Sequence, residues 1–438
     1  MCRIHLAVAL PIFSIKIYIV SFNKLQLIEP VLKALHQQGY HQPTPIQQQA
    51  IPVVLNKQDL LACAQTGTGK TAAFAIPVLQ LMFLHKQTRV NENKLKQIQT
   101  LVLVPTRELA LQVEESFRDY GCYLGFHQLV VFGGVSQYNQ VSMLRKGVDI
   151  LVATPGRLLD LIQQRKISLE AVKYFILDEA DRMLDMGFVD TVRKIIAYLP
   201  VQRQTLFFSA TMPAPILQLS KQLLVKPVKV EVTPPSSVVE IIVQSLYYVE
   251  KTNKRHLLVE ILKNPVLKTV LVFTKTKYGA DRLARDLGRS GVKADAIHGN
   301  KSQNERQRAL QKFKDGYARV LVATDIAARG IDIDQLSMVI NFDLPDVPET
   351  YVHRIGRTGR AGATGVAVSF CDYEQKICLA DIQKLIGKSI TVVKDHLYDV
   401  PMMHPQQRSE NHYSQLVHRK RSAGKRYGRV FMQASVKS

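Results

Sequence analysis

Apolar residues in this chain come in short blocks rather than long runs. Through the first half, the blocks 60–63, 101–104, 150–153, 174–177 and 205–208 are each bounded by turn-forming residues and separated by stretches of helix length. A strand buried on both faces reads as a continuous apolar block, so strands alternating with helices predict a parallel sheet covered by helices. Blocks resume at 269–273, 320–323, 338–342 and 366–370, predicting a second α/β domain of similar build. Between the two, residues 226–240 lose both periodicities and carry Val232-Thr233-Pro234-Pro235-Ser236-Ser237, a break in helix and strand alike. The expected organisation is a first domain over 21–230, a linker over 231–242 and a second domain over 243–398.

Composition changes this picture at the two ends. From 401 to 438 there are eight Lys or Arg against a single acid, Glu410, so 399–438 is expected to be a basic, disordered tail. Residues 1–20 are apolar, with Arg3 ahead of the block 6–10 and Lys16 interrupting 12–20. That pattern has the charge and length of a signal peptide, but no small-residue cleavage site follows, and it is short and broken for a membrane span. The expectation is a non-native or misassigned start, with the working chain beginning near Ser21-Phe22. The formal charge of +22 over 438 residues exceeds what solubility needs and points to a polyanionic partner. Five scattered cysteines, never paired as C-x-x-C, speak against a disulfide framework and a zinc site and fit a reducing compartment.

Ligands of an open parallel sheet bind outside the carboxyl ends of its strands. The notable strings fall there: Pro105-Thr106-Arg107-Glu108, Thr154-Pro155-Gly156-Arg157, Asp178-Glu179-Ala180-Asp181 and Ser209-Ala210-Thr211. After the first block comes Ala64-Gln65-Thr66-Gly67-Thr68-Gly69-Lys70-Thr71, and then an apolar stretch of helix length, 72–84. In such a loop, glycines let backbone N–H groups approach phosphate oxygens, Lys70 brings charge to the β/γ-phosphates, and Thr71 offers a hydroxyl to magnesium. Asp178, at the tip of an apolar strand, is placed to hold the metal through its water shell, and Glu179 to orient and deprotonate an attacking water. Hydrolysis of ATP is expected. Near the other end, the string 353–360 spaces Arg354, Arg357 and Arg360 three apart, which on a helix puts them on one face, so that two guanidinium groups reach a γ-phosphate together. A solvated basic face is the alternative; the glycines 356 and 359, poor in a purely structural helix, favour the first reading.

These strings together resemble the DEAD-box RNA helicases. Gln47 ends the stretch Gly39-Tyr40-His41-Gln42-Pro43-Thr44-Pro45-Ile46-Gln47, with Phe22 seventeen residues before Gly39, and this is similar to the Q motif of that family. AQTGTGKT at 64–71, PTRELA at 105–110, GG at 133–134, TPGR at 154–157, DEAD at 178–181, SAT at 209–211, ATDIAARGID at 323–332 and HRIGRTGR at 353–360 follow in the family's order. The likeness covers residues 22–395 and looks most like the compact bacterial RhlE-type branch with a short basic tail. It implies two tandem RecA-like domains, each a parallel sheet covered by helices. It implies that Phe22 stacks on adenine, that Gln47 reads the adenine edge, and that Gln65, Thr66, Gly67, Thr68, Gly69, Lys70 and Thr71 hold the phosphates. Asp332 would contact the ribose or organise the cleft, and Arg357 and Arg360 would be the γ-phosphate fingers. Asp181, Ser209 and Thr211 would couple hydrolysis to domain closure. Pro105, Thr106, Arg107, Gly134, Thr154 and Arg157, with Thr274, Gly299 and Thr324 of the second domain, would line an RNA track. Thr274-Lys275-Thr276 departs from the family, which often has an Asn-Thr or Arg-Thr pair there, and leaves that contact open.

The expected protein is therefore a cytoplasmic ATP-dependent RNA helicase using ATP and Mg2+, without stable membrane contact. It would bind single-stranded and short duplex RNA with little sequence preference, because most contacts reach phosphate and sugar. Ribosome-assembly or RNA-decay factors are the further partners such an enzyme would meet. An RNA clamp or annealing chaperone would use the same residues, whereas a DNA helicase or translocase is disfavoured by the Phe22/Gln47 pair and the DEAD string.

Overall fold

The computed structural model describes residues 21–65, 67–87, 97–232, 242–328 (at 326 the backbone alone), 336–359 and 365–399. The N-terminal stretch 1–20, most of the expected linker (233–241), Thr66, Asp332, Arg360 and the basic segment from 400 onward lie outside the described residues. The chain divides into two units between Pro234 and Pro235. Among the described residues, no helix is long and apolar enough to cross a membrane.

In the first unit the strands are β1 (Leu60–Cys63), β2 (Thr100–Leu103), β3 (Gln128–Val131), β4 (Ile150–Ala153), β5 (Tyr174–Leu177), β6 (Gln204–Ser209) and β7 (Val228–Glu231). They pair in parallel throughout, in the order β3-β4-β2-β5-β6-β1-β7. The second unit has β8 (Ile242–Tyr248), β9 (Val270–Phe273), β10 (Ala294–Ile297), β11 (Val320–Ala323), β12 (Met338–Asn341), β13 (Gly365–Cys371) and β14 (Thr391–Val392). Their order is β10-β11-β9-β12-β13-β8-β14, also all parallel. Adding seven to each label of the first order gives the second, so one topology is used twice.

The central strands are apolar on consecutive residues because helices cover both faces. Along β5 and β6, Ile176, Leu206 and Phe208 pack into one core cluster with Phe74 and Phe117, while Phe175, Leu177 and Phe207 pack into the cluster on the opposite face. Strands the apolar blocks did not reveal lie toward the sheet margins and are less completely buried. β7 falls inside the stretch 226–240 that was expected to lack strand character. Its Val-Lys-Val-Glu sequence buries Val230 and leaves Lys229 and Glu231 exposed, which suffices for an edge strand paired to β1. Asp59, just before β1, anchors this margin: its two carboxylate oxygens accept from Thr205 N and Val225 N, both at 2.8 Å.

Candidate active site and nucleic-acid interface

The strand order brings β5, β6 and β1 side by side, and three of the strings named above leave their carboxyl ends. The glycine-rich loop continues β1, tied down where Ala64 N donates to Ser209 O at 3.0 Å and Thr68 Oγ1 donates to Gln65 O at 2.8 Å. Gly67 and Gly69 have φ of 84° and 90°, a region that L side chains avoid. The loop then feeds the helix Lys70–Gln87, whose residues are almost all buried from Ala72 to Met82. Lys70 itself is 6% exposed, and among the described residues its Nζ has no hydrogen-bond partner. A buried ammonium without a partner is costly. At a helix N-terminus preceded by a glycine-rich loop, it is suited to take up a phosphate.

Around Lys70 stand the carboxylates of the DEAD string. Asp178 is 2% exposed; burial pushes its carboxyl up to about 6, against the opposing pull of Lys70. Its Oδ1 accepts from Glu179 N at 2.9 Å. Asp181 goes the other way: burial would raise it, but Lys70, Arg182 and hydrogen bonds from Thr211 and Ser209 hold it below the usual carboxylate range. Thr211 donates to Asp181 Oδ2 from both its N and its Oγ1, each at 3.0 Å, Ser209 Oγ accepts from Asp181 N at 3.2 Å, and Ser209 Oγ donates to Thr211 O at 2.7 Å. Asp181, Ser209 and Thr211 are thus one network joining the ends of β5 and β6.

Glu179 occupies the left-handed region at φ 52°, ψ 49° and starts the short helix Ala180–Asp185. For a residue with a side chain this conformation stores strain, of the sort found at functional sites. Arg182, one turn on, holds Glu179 Oε2 at 3.0 Å in a pair where both side chains are almost wholly buried. Sequence reasoning passed over Arg182; the signal available was its spacing of three from Glu179. Magnesium fits the donor set: among the described residues Asp178 is a buried carboxylate without a hydrogen-bonded cation, and Thr71 is in the first turn of the helix that Lys70 begins. No group of three or more His, Cys, Asp or Glu able to hold a metal occurs among the described residues, so the ion would rest on these two and on phosphate and water, as magnesium usually does.

Gln47 is 1% exposed and belongs to the first turn of the helix Pro45–Leu55. Its Oε1 accepts from Thr44 N at 2.9 Å and its Nε2 donates to Gly69 O at 3.1 Å, so the amide ties the Q-motif helix to the phosphate loop. One N–H and one lone pair remain for a base edge. A Cβ at Gly69 would run into that amide. Phe22 is 3% exposed and packs in the core with Leu25, Leu27 and Val31, so stacking on a base requires part of this cover to move aside.

The residues expected to meet RNA sit on the other half of the same sheet edge. Pro105, Thr106 and Arg107 follow β2, Gly134 lies after β3, and Thr154 and Arg157 follow β4, and these three strands are consecutive in the sheet. Thr106 Oγ1 caps the helix Arg107–Tyr120 by accepting from Leu109 N at 3.3 Å. Two arginines hold the glycine loop. Arg107 lies against Gly134 so closely that a Cβ there would overlap its guanidinium, and Arg157 donates to Val135 O at 2.9 Å and to Gln140 Oε1 at 3.3 Å. In the second unit Thr274, Gly299 and Thr324 follow β9, β10 and β11, which by the repeated topology are the counterparts of β2, β3 and β4.

Arg354 and Arg357 do not share a helix face. The helix Pro348–Ile355 ends with Gly356 as its C-cap, so Arg357 lies beyond it, because two glycines so close together do not sustain the helix. Arg354, in the last turn, is 2% exposed and committed within its own unit. It donates to Asp325 Oδ2 at 2.7 Å, Asn341 Oδ1 at 3.1 Å and Asp343 O at 2.6 Å. Arg357 is 5% exposed.

Comparison with known proteins gives the same assignment. The family model for the DEAD/DEAH box helicase matches residues 44–219, and that for the helicase conserved C-terminal domain matches 253–362. The DEAD-box ATP-dependent RNA helicase CshA of Bacillus subtilis is 41% identical over 388 residues, 89% of this chain and 77% of the relative. RhpA of Helicobacter pylori, likewise a DEAD-box ATP-dependent RNA helicase, is 40% identical over 390 residues, covering 88% of this chain and 76% of the relative. Among solved structures, S. cerevisiae Dbp5 bound to RNA and ADP BeF3 superimposes with a TM-score of 0.73 at 33% identity, covering 85% of this chain and 95% of Dbp5.

Proposed function

Because the chain belongs to the DEAD-box ATP-dependent RNA helicases, we propose that it hydrolyses ATP in response to RNA and uses the cycle to open short RNA duplexes locally. The observation that carries this reading is the buried, partnerless ammonium of Lys70, set among the carboxylates of Asp178 and Asp181 where the ends of β1, β5 and β6 adjoin.

Lys70 and the backbone N–H groups of the loop 65–71 bind the β- and γ-phosphates. Magnesium, held by Asp178 and Thr71, would neutralise charge developing on the transferred phosphoryl group. Glu179, with Oε2 engaged by Arg182, turns its other oxygen to the attacking water and takes its proton. Gln47 reads the adenine edge with the amide valences its structural bonds leave, and Phe22 stacks on the ring. Arg357 and Arg360 supply positive charge to the γ-phosphate, and Asp332 meets the ribose. The Asp181–Ser209–Thr211 network sits where loss of the γ-phosphate would be felt by β5 and β6 together. RNA lies along the ends of β3, β4 and β2 and of their counterparts β10, β11 and β9, held largely through phosphate and sugar.

The test is ATP turnover with and without RNA, alongside unwinding of a short RNA duplex, in the wild type and in Glu179→Gln. The variant keeps the phosphate cradle but lacks the base. It is expected to bind ATP and RNA normally and to lose turnover and unwinding. Wild-type rates in Glu179→Gln would overturn the assignment.

A further inference from the structure

The glycine loop does not end the features at this edge of the first unit. β3 is the marginal strand, and the chain runs from it through Gly133-Gly134 into the helix Gln137–Arg145. This helix buries only Gln140, whose Nε2 donates to Phe132 O at 3.1 Å while its Oε1 accepts from Arg157. Its outward face is chemically uneven. Tyr138, in the first turn, is 77% exposed. Arg145, seven residues on and so on the same face about 10 Å along the axis, is exposed, as is Lys146, which ends the helix.

A second element adds to this face. Gln137 and Gln164 exchange hydrogen bonds at 3.3 Å, docking the end of the helix Pro155–Gln163 beside the first turn of 137–145. Arg165 and Lys166 follow Gln164 directly, and both are exposed. The stretch 136–147 contains no acid. Asp160, one turn before this junction, is engaged by Gln164 at 2.8 Å and by Arg157 at 3.8 Å. The result is an exposed aromatic ring and four exposed cations carried on two adjoining helix ends, joined through Val135 and Gln140 to the loop that Arg107 and Arg157 hold.

We propose that this face, formed by Tyr138, Arg145, Lys146, Arg165 and Lys166, binds the RNA strand where it continues past the glycine loop, with a base stacked on Tyr138 and phosphates against the cations. An exposed aromatic within a positive surface is how proteins hold single-stranded nucleic acid without reading its sequence. Charge and continuity both favour that occupant: the surface adjoins residues assigned to the RNA track and carries the sign opposite to the strand. The proposal rests on the RNA-helicase reading and extends its footprint at one end.

Equilibrium binding separates the two. A long single strand of about 20 nucleotides and a short one of about 6, enough for the motif contacts alone, are titrated against wild type, Tyr138→Ala and the double variant Arg145→Gln/Lys146→Gln over a series of salt concentrations. Tyr138→Ala is expected to weaken the long strand at least ~5-fold and spare the short one. Tyr138→Phe should restore wild-type affinity, because stacking needs the ring and not the hydroxyl. The charge variant should flatten the salt dependence for the long strand by about 0.7 for each phosphate no longer neutralised. ATPase without RNA should be unchanged in all three variants. Wild-type affinity and slope in both the alanine and the charge variants would overturn the proposal, as would equal losses for long and short strands. Wild-type protein that binds neither strand would overturn the helicase reading and this one with it.

Discussion

At the scale of single residues, the site is a contrast between two aspartates that share one lysine. Asp178 and Asp181 are both buried near Lys70, yet burial dominates at the first, while at the second the charges of Lys70 and Arg182 and the hydrogen bonds from Thr211 and Ser209 together outweigh it. The ionised form of Asp178 therefore lacks a neutralising partner, which a divalent ion with bound nucleotide would supply under the proposed function. A stability consequence follows for the protein without nucleotide or magnesium. The folded state holds the Asp178 proton up to about 6, whereas the carboxyl ordinarily releases it at 3.8, so between those values the folded state binds more protons and stability falls as pH rises. Asp178→Asn, which mimics the protonated side chain, lacks this loss. Its thermal midpoint relative to wild type should climb across that window and level off above it, a comparison that a thermal melt at several pH values makes directly. A constant difference at all pH values would exclude the raised carboxyl.

At the scale of elements, loops are held in place by side chains from their neighbours. Gly134, at φ 75°, lies under the guanidinium of Arg107, while Arg157 grips the next residue from the helix after β4. Adding a side chain at 134 costs about 1–2 kcal/mol for the left-handed backbone and displaces Arg107. Gly134→Ala should weaken RNA binding on the order of 10-fold and leave RNA-free ATPase unchanged. Anisotropy with a labelled strand, run beside an ATPase assay, checks both halves; an equal loss of the two would mean the loop supports the nucleotide site as well. The same scale explains which strands were legible. Central strands such as β5 announce themselves as Tyr-Phe-Ile-Leu because both faces are covered. β7, β8 and β10 are not apolar on consecutive residues throughout, being only partly covered, and such sequences resemble loops until pairing is known.

At the scale of the whole chain, one sheet topology occurs twice, but only its first copy carries a phosphate loop. The proposed phosphate loop and base lie in the first unit, and the proposed fingers belong to the second. Arg357→Lys should then reduce RNA-stimulated hydrolysis at least ~10³-fold, because a flexible ammonium does not reproduce a planar fork at the transition state. Steady-state rates at saturating ATP and RNA measure this. A change confined to ATP affinity would remove Arg357 from the chemistry.

The linear sequence determined the elements that depend on local pattern. Apolar blocks marked the doubly covered strands, and the glycine-rich string and the motif strings lie at the strand ends as the order of blocks and strings implied. It also singled out Lys70, Asp178 and Glu179 as candidates, since a glycine-rich turn and a strand-tip carboxylate pair follow from short-range order. Only the tertiary structure decided which strands are neighbours, and hence that Asp178, Ser209 and Lys70 converge while Arg107, Gly134 and Arg157 gather on the other half of the edge. It decided as well that Arg354 is spent on Asp325 and Asn341 rather than sharing a face with Arg357, that Arg182 restrains Glu179, and that Gln47 ties a helix to the loop before it can meet a base. The physical reason is common to all of these. Spacing along the chain constrains residues within one turn or one strand, whereas the partner of a buried charge or amide is chosen by whichever groups packing brings within hydrogen-bond reach.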